Sequence, residues 1–196
     1  MKEIYTFFAL ISRMKYVRRW GLMHNVRSEN LMEHSFETAV IAGALAAIEN
    51  ERFGGEYDVD RVTMTALYHD ATEIITGDMP TPVKYINEDL NSEYKKVEKR
   101  AAERLLCTLP EDLRGSFETC MSPDEKTRRI VKAADKISAL IKCTQETEQG
   151  NVDFATALKS TEEKVRSIDL ESVKYFMEFI FPAYRLTLDE LTEEEK

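Results

Sequence analysis

Three groups able to bind a cation or move a proton, His69, Asp70 and Glu73, fall within five residues. They close a segment, Val62 to Leu67, that is apolar enough for a core helix, and Gly77, Asp78, Pro80 and Pro82 follow at once. At about 100° per residue, one continuous helix would carry His69, Glu73 and Asp70 at roughly 0°, 40° and 100°, all on one side. Two more residues intrude on apolar surroundings. His34 stands in the first turns of an otherwise apolar helix, and Asp135 interrupts IVKAADKISALI among Val131, Ala134, Ile137 and Ser138. Each has an ordinary reading: a core histidine bonded to a carbonyl, and a surface aspartate beside Lys132 and Lys136. An ionised aspartate is costly to bury unless a cation or hydrogen bonds compensate it. Three core-type helices that each carry such an intrusion strain the ordinary readings when taken together.

The elements that would position these residues read as helices throughout. Glu, Lys, Ala and Leu dominate, while 7 Gly and 5 Pro in 196 residues are too few for a turn-rich all-β chain. Residues 4 to 16 place Ile4, Phe7, Phe8, Ile11 and Met14 at helical spacing. VRRWGLMHNVRSEN loses that period and reads as a loop. Asn30 with Glu33 makes a capping-box pattern, opening a helix to about Asn50 that is apolar nearly all round, Phe36 and Val40 included. Asp60 is placed as the cap of the next helix, which runs through His69 and Glu73 to a stop at Gly77. Pro80 and Pro82 stiffen TPVKY. A charged helix from about Asn91 to Cys107 turns Tyr94, Val97, Ala101 and Leu105 inward. Ser122 and Pro123 read as N-cap and first turn of a helix that stops at Gly150. Helices over roughly 152 to 168 and 170 to 181 complete an all-α globule of six to eight helices, and YFMEFIFPAY is either core or a dimer surface. The acidic end, from about 190 to 196, reads as a frayed tail.

Charge and composition exclude several classes. The net charge of −9 disfavours binding to a nucleic-acid polymer. No run of about 18 apolar residues spans a membrane, and the N-terminus lacks a signal-peptide pattern. Cys107, Cys120 and Cys143 form no CxxC and read as reduced thiols, which fits the cytoplasm. Against the acidic background, Arg13, Lys15, Arg18, Arg19 and Arg27 cluster around Trp20 and His24. That cluster is either a solvated basic face or an anion site.

His34, His69-Asp70 and Asp135 resemble the H…HD…D pattern of the HD-domain phosphohydrolases, an all-helical metal-dependent superfamily. RRWGLMHNVRSENLMEHS, YHDATEIITGDMPTPVKY and KAADKISALIKC are similar to the bacterial 5′-deoxynucleotidases within it. The likeness runs over essentially the whole chain, LTLDEL included, and so implies a single HD-type domain over residues 1–196. It also implies that His34, His69, Asp70 and Asp135 hold a divalent ion. The donor chemistry agrees: two imidazoles and two carboxylates suit Mn, Co, Zn, Fe or Mg and leave room for water. His24 is the only other histidine, which argues for one ion per chain.

By the same resemblance, the substrate is a 2′-deoxynucleoside 5′-monophosphate, hydrolysed to deoxynucleoside and phosphate. Arg19 would hold the phosphate and Trp20 would stack on or wall the sugar. Asp78, Met79, Pro80 and Thr81 would meet the nucleoside, with Asp70 and Asp135 also on the substrate side. Glu73 is assigned as general acid/base, with support of a metal ligand as its alternative, and Asp78 could bond the 3′-hydroxyl or share in proton transfer. The family is often dimeric, which implies a homodimer. Other readings stay open: a phosphodiesterase or nucleoside triphosphatase of the same superfamily, or a noncatalytic metal-bound module that senses nucleotides.

Overall fold

In the computed structural model, which describes residues 4–80, 83 and 87–192, the central helix starts where its cap predicts. The Asn30 side chain accepts from the N–H groups of Met32 and Glu33, both at 3.0 Å, and Glu33 accepts from Asn30 N–H at 3.2 Å. Helix α2 (Leu31–Phe53) then runs to Gly54, whose φ of 68° ends it in the left-handed region. It is preceded by a short α1 (Phe7–Ile11) that tightens into a 3-10 turn over Ser12–Tyr16. After it come α3 (Val59–Tyr68), α4 (Glu73–Thr76), α5 (Glu88–Leu106), α6 (Glu111–Met121) and α7 (Glu125–Glu148). Next, α8 (Ala155–Arg166) and α9 (Glu171–Tyr175) lead into a π turn over Phe176–Ile180, a 3-10 turn over Phe181–Arg185 and α10 (Leu188–Thr192). Among the described residues the protein is all-α, and its only bridge pairing joins Arg18 to Asn30.

Two apolar clusters hold these helices. The larger gathers Ile41, Leu45, Val62, Ile130, Ile137, Ile141, Val173 and Phe176 where α2 packs on α3, α7 and α9. Full burial of such side chains stabilises the fold by about 1.5–3 kcal/mol each. Gly43 lets α2 and α3 come close, since a Cβ there would stand 2.7 Å from Thr63 Oγ1. The smaller cluster puts Phe7, Ala71, Leu105 and Leu109 together, with Tyr68 and Phe117 against them. By length and composition α2 could cross a membrane, but half of its apolar window is buried inside the protein, as in a core helix.

Several expectations are corrected. The helix holding His69 and Glu73 is not continuous. His69 Nδ1 meets Ala66 O at 2.6 Å and His69 N–H donates to the same carbonyl at 3.4 Å, so α3 ends at Tyr68. Tighter i to i−3 bonds, Ala71 N–H to Tyr68 O and Glu73 N–H to Asp70 O, carry the chain into α4. Asp58, not Asp60, caps α3, because its carboxylate reaches Arg61 N–H at 3.0 Å. Asp124, not Ser122, caps α7 through Thr127 N–H, leaving Pro123 outside the helix. Asn87 starts α5 earlier than Asn91, and α6 was not anticipated.

Phe36 and Val40 stand 66% and 54% exposed, so one face of α2 is apolar without being core, and Val97 is also exposed. In YFMEFIFPAY, Phe176 and Phe181 are core while Phe179 is exposed. The acidic end is helical through Thr192; the rest of the expected tail, like Thr81, Pro82, Lys84 and Tyr85 of TPVKY, lies outside the described residues.

Candidate active site

Three helices deliver four ligand-type side chains to one place. His34, on α2, is fully buried; its Nε2 lies 3.2 Å from Asp135 Oδ1 on α7 and 3.7 Å from Asp70 Oδ2 beyond α3. His69 Nε2 lies 3.1 Å from the same Asp70 oxygen, and the two imidazole centroids are 5.3 Å apart. One ligand atom each from His34, His69 and Asp70 falls within 4.8 Å of the others. The Asp70 and Asp135 side chains are 26% and 37% exposed, so the cluster is closed by histidines below and opens through its carboxylates.

The second nitrogen of each ring is occupied. His69 Nδ1 meets Ala66 O, a pure acceptor, and therefore carries the proton. In a neutral ring Nε2 is then a lone pair, buried, without a hydrogen bond, and aimed at a carboxylate. Two lone pairs that face each other are reconciled by a proton on Nε2 or by a metal cation between them. A divalent metal fits this donor set: His34, His69 and Asp70 stand close enough together to hold it, and Asp135 lies beside them against His34. His34 Nδ1 meets Ser138 Oγ at 3.1 Å, and that hydroxyl donates to Glu37 Oε2 at 2.6 Å, which fixes the ring.

The electrostatics follow the same logic. Burial and the neighbouring Arg19 push the His34 pKa down, outweighing Asp135, and keep the ring neutral. Burial also lowers that of His69, but Asp70 and Asp135 raise it further, to about 9. Burial pushes Asp70 and Asp135 up, but the two histidines more than reverse this and hold both carboxyls below their usual range.

Arg19 and Trp20 come from the irregular segment before α2. Glu29 organises both: it accepts from Trp20 Nε1 at 3.0 Å, sits 3.8 Å from Arg19 Nε, and its carbonyl accepts Arg19 N–H at 3.1 Å. Trp20 has a φ of 57°, unusual for an aromatic residue, and its ring lies 5.2 Å from that of Phe154. Burial disfavours the Arg19 charge, yet Glu29, Asp135, Asp70 and Asp78 overcompensate and hold its pKa above the ordinary value. Arg19 Nη1 is buried with no hydrogen-bond partner.

Arg19, Trp20, Asp78, Met79 and Pro80 line one cavity of about 660 Å³. Its opposite wall is α8, through Thr156, Ala157, Ser160, Thr161 and Lys164, none of which the sequence singled out. Glu29 was missed too, although it stands inside the quoted ENLMEHS. Glu73 is buried at the start of α4, its N–H bonded to Asp70 O, and Gly77, with φ 75°, ends that turn just before Asp78.

A helical scaffold with paired histidines and carboxylates at its centre is the arrangement of the HD-domain phosphohydrolases. The crystal structure of an HD-domain phosphohydrolase from Listeria innocua matches with a TM-score of 0.76 and 24% identity, over 91% of this chain and 88% of that one. The cyanophage S-2L HD phosphohydrolase, bound to dA and one catalytic Zn²⁺ ion, matches with a TM-score of 0.60 and 20% identity, over 93% and 95%. These likenesses establish the fold. The profile of the 5′-deoxynucleotidase YfbR-like family matches residues 6–184. The 5′-deoxynucleotidase YfbR of Escherichia coli K12 is 44% identical over 193 residues, 96% of each chain. The chain belongs to the 5′-deoxynucleotidase YfbR-like family and is a phosphoric monoester hydrolase.

Proposed function

We propose that the protein, acting as a single HD-type domain over its whole length, hydrolyses 2′-deoxynucleoside 5′-monophosphates to deoxynucleosides and phosphate. The observation that carries this reading is the buried, unpartnered Arg19 Nη1. It borders a cavity wide enough for a nucleoside and feels the charges of Asp70 and Asp135. An unpaired buried donor costs about 1–3 kcal/mol, a cost recovered when a phosphate oxygen fills it. His34, His69, Asp70 and Asp135 hold one divalent ion per chain, drawn from Co, Mn, Zn, Fe and Mg. When bound, such an ion supplies polarisation of the phosphoryl group and acidification of water.

Arg19 clamps the phosphate and stabilises the charge that spreads over its oxygens during transfer. Asp70 and Asp135 also face the substrate. Glu73 serves as general acid/base, and Asp78 bonds the sugar 3′-hydroxyl or shares in the proton movement. Trp20, backed by Phe154, walls the sugar at C2′ and so rejects a ribose hydroxyl. Met79 and Pro80 meet the nucleoside. The free cysteines fit a cytoplasmic enzyme, and the exposed Phe36 and Val40 fit a homodimer.

The test is to strip the protein with chelator, restore single divalent ions, and follow phosphate release from deoxy- and ribonucleoside 5′- and 3′-monophosphates. Release from 5′-deoxynucleotides alone supports the reading. No release from any of them rejects it, and equal rates with AMP and dAMP overturn the role of Trp20.

A further inference from the structure

Asp135, Ser138, Lys142 and Glu146 fall at roughly 0°, 300°, 340° and 20° around α7 at about 100° per residue, forming one polar stripe. Asp135 and Ser138 both meet His34, as described above. One and two turns further on, Lys142 and Glu146 make a buried ion pair, their side chains 7% and 2% exposed. Burying a charge pair adds little stability, because desolvation offsets most of the attraction. The rest of this pair's bonding goes to the backbone of residues 26–27 and to the Asn151 side chain. Lys142 Nζ donates to Arg27 O, and Glu146 accepts from Val26 N–H at 2.8 Å and Arg27 N–H at 3.1 Å. Asn151 Nδ2 bridges Glu146 Oε2 at 2.7 Å and His24 O at 2.8 Å. Asn25, in the same segment, donates back to Trp20 O at 3.2 Å.

These bonds land on residues 24–27, which have no helix or strand of their own. The segment just before them holds the two costly features of the site, the φ of 57° at Trp20 and the unpartnered Arg19 Nη1. Each costs on the order of 1–3 kcal/mol and persists only where the surroundings over-determine it. A loop free to move would relax both.

We propose that Lys142, Glu146 and Asn151 are positioning residues that seat the Arg19–Trp20 segment on α7. The helix that carries Asp135 thereby fixes the spacing between the phosphate-holding guanidinium and the metal-site residues. This rests on Arg19 and Trp20 holding the substrate, and deepens that reading.

Trp20 is the single tryptophan of the chain, so its fluorescence reports the segment directly. Glu146→Gln replaces a carboxylate that receives four donors with an amide that has one acceptor oxygen. In the folded variant, acrylamide is expected to quench Trp20 more strongly than in wild type. Loss of charge-assisted bonds should lower kcat/KM for dAMP about 10- to 100-fold. Mn²⁺ affinity should stay within about twofold of wild type, as the ligands are untouched. Wild-type quenching in a folded Glu146→Gln protein overturns the proposal, as does a loss of Mn²⁺ affinity that matches the loss of kcat/KM. If Glu146→Gln does not fold, Asn151→Ala, which leaves the ion pair intact, should show the same changes to a smaller degree, and wild-type quenching and kcat/KM there overturn it. Absence of turnover by the wild-type protein would instead reject the substrate reading, while the quenching comparison still decides the clamp.

Discussion

At the scale of single residues, the two histidines of the cluster titrate in opposite directions for a local reason. His34 is sealed beneath the site with Arg19 nearby, whereas His69 is pressed against Asp70. Without metal, His69 holds a proton up to about pH 9, above its ordinary value of 6.5. Its raised folded value contributes stability that is full below pH 6.5 and is lost as pH rises through about 9. A metal ion must displace that proton. Calorimetric titrations of Mn²⁺ should therefore show affinity rising by up to about tenfold per pH unit across the window. A flat profile would contradict the assignment of His69 as a ligand. Glu73 lies buried one turn beyond Asp70, and Glu73→Gln is expected to keep metal affinity while lowering kcat by about 10²–10⁴-fold, the range of general acid–base catalysis. A variant with full turnover would remove Glu73 from the chemistry.

At the scale of elements, local signals were legible and long-range ones were not. The Asn30–Glu33 box, the stop at Gly77 and the turn at Gly150 each depend on a few neighbouring residues, and all three stand where the sequence put them. Asn30→Ala should lower stability by about 0.5–2 kcal/mol, seen as a reduced thermal midpoint without loss of kcat in the folded protein. The break after Tyr68 was hidden, because a histidine side chain capturing the carbonyl of Ala66 has no periodic signature. The caps of α3 and α7 were misplaced by two residues each, since several acceptors compete at each start and geometry selects the one that reaches. Of the cavity, Arg19, Trp20, Asp78, Met79 and Pro80 were expected from the family resemblance, while the α8 wall carries ordinary surface residues and became visible only in place.

At the scale of the whole molecule, the exposed apolar face of α2 is the surface on which the proposed homodimer can be tested. Phe36 and Val40 lie one turn apart on a helix whose other faces are buried against α3 and α7. If that face joins two copies, Val40→Glu should shift sedimentation of the protein toward a single 22.6 kDa chain. The far-UV spectrum should stay unchanged. A wild-type protein already at that mass would reject the homodimer.

The sequence by itself determined the helical class, the principal caps and the residue types of the site, because periodicity, capping and donor chemistry act over a few residues. It also held the stripe Asp135, Ser138, Lys142 and Glu146, but without a meaning. Only the tertiary structure decided that His34 stands 3.2 Å from Asp135, that Glu29 braces Arg19 and Trp20, and that Glu146 meets backbone 120 residues away. Those contacts depend on how α2 and α7 pack, and packing is set by the combined shape of many side chains, which no local pattern along the chain encodes.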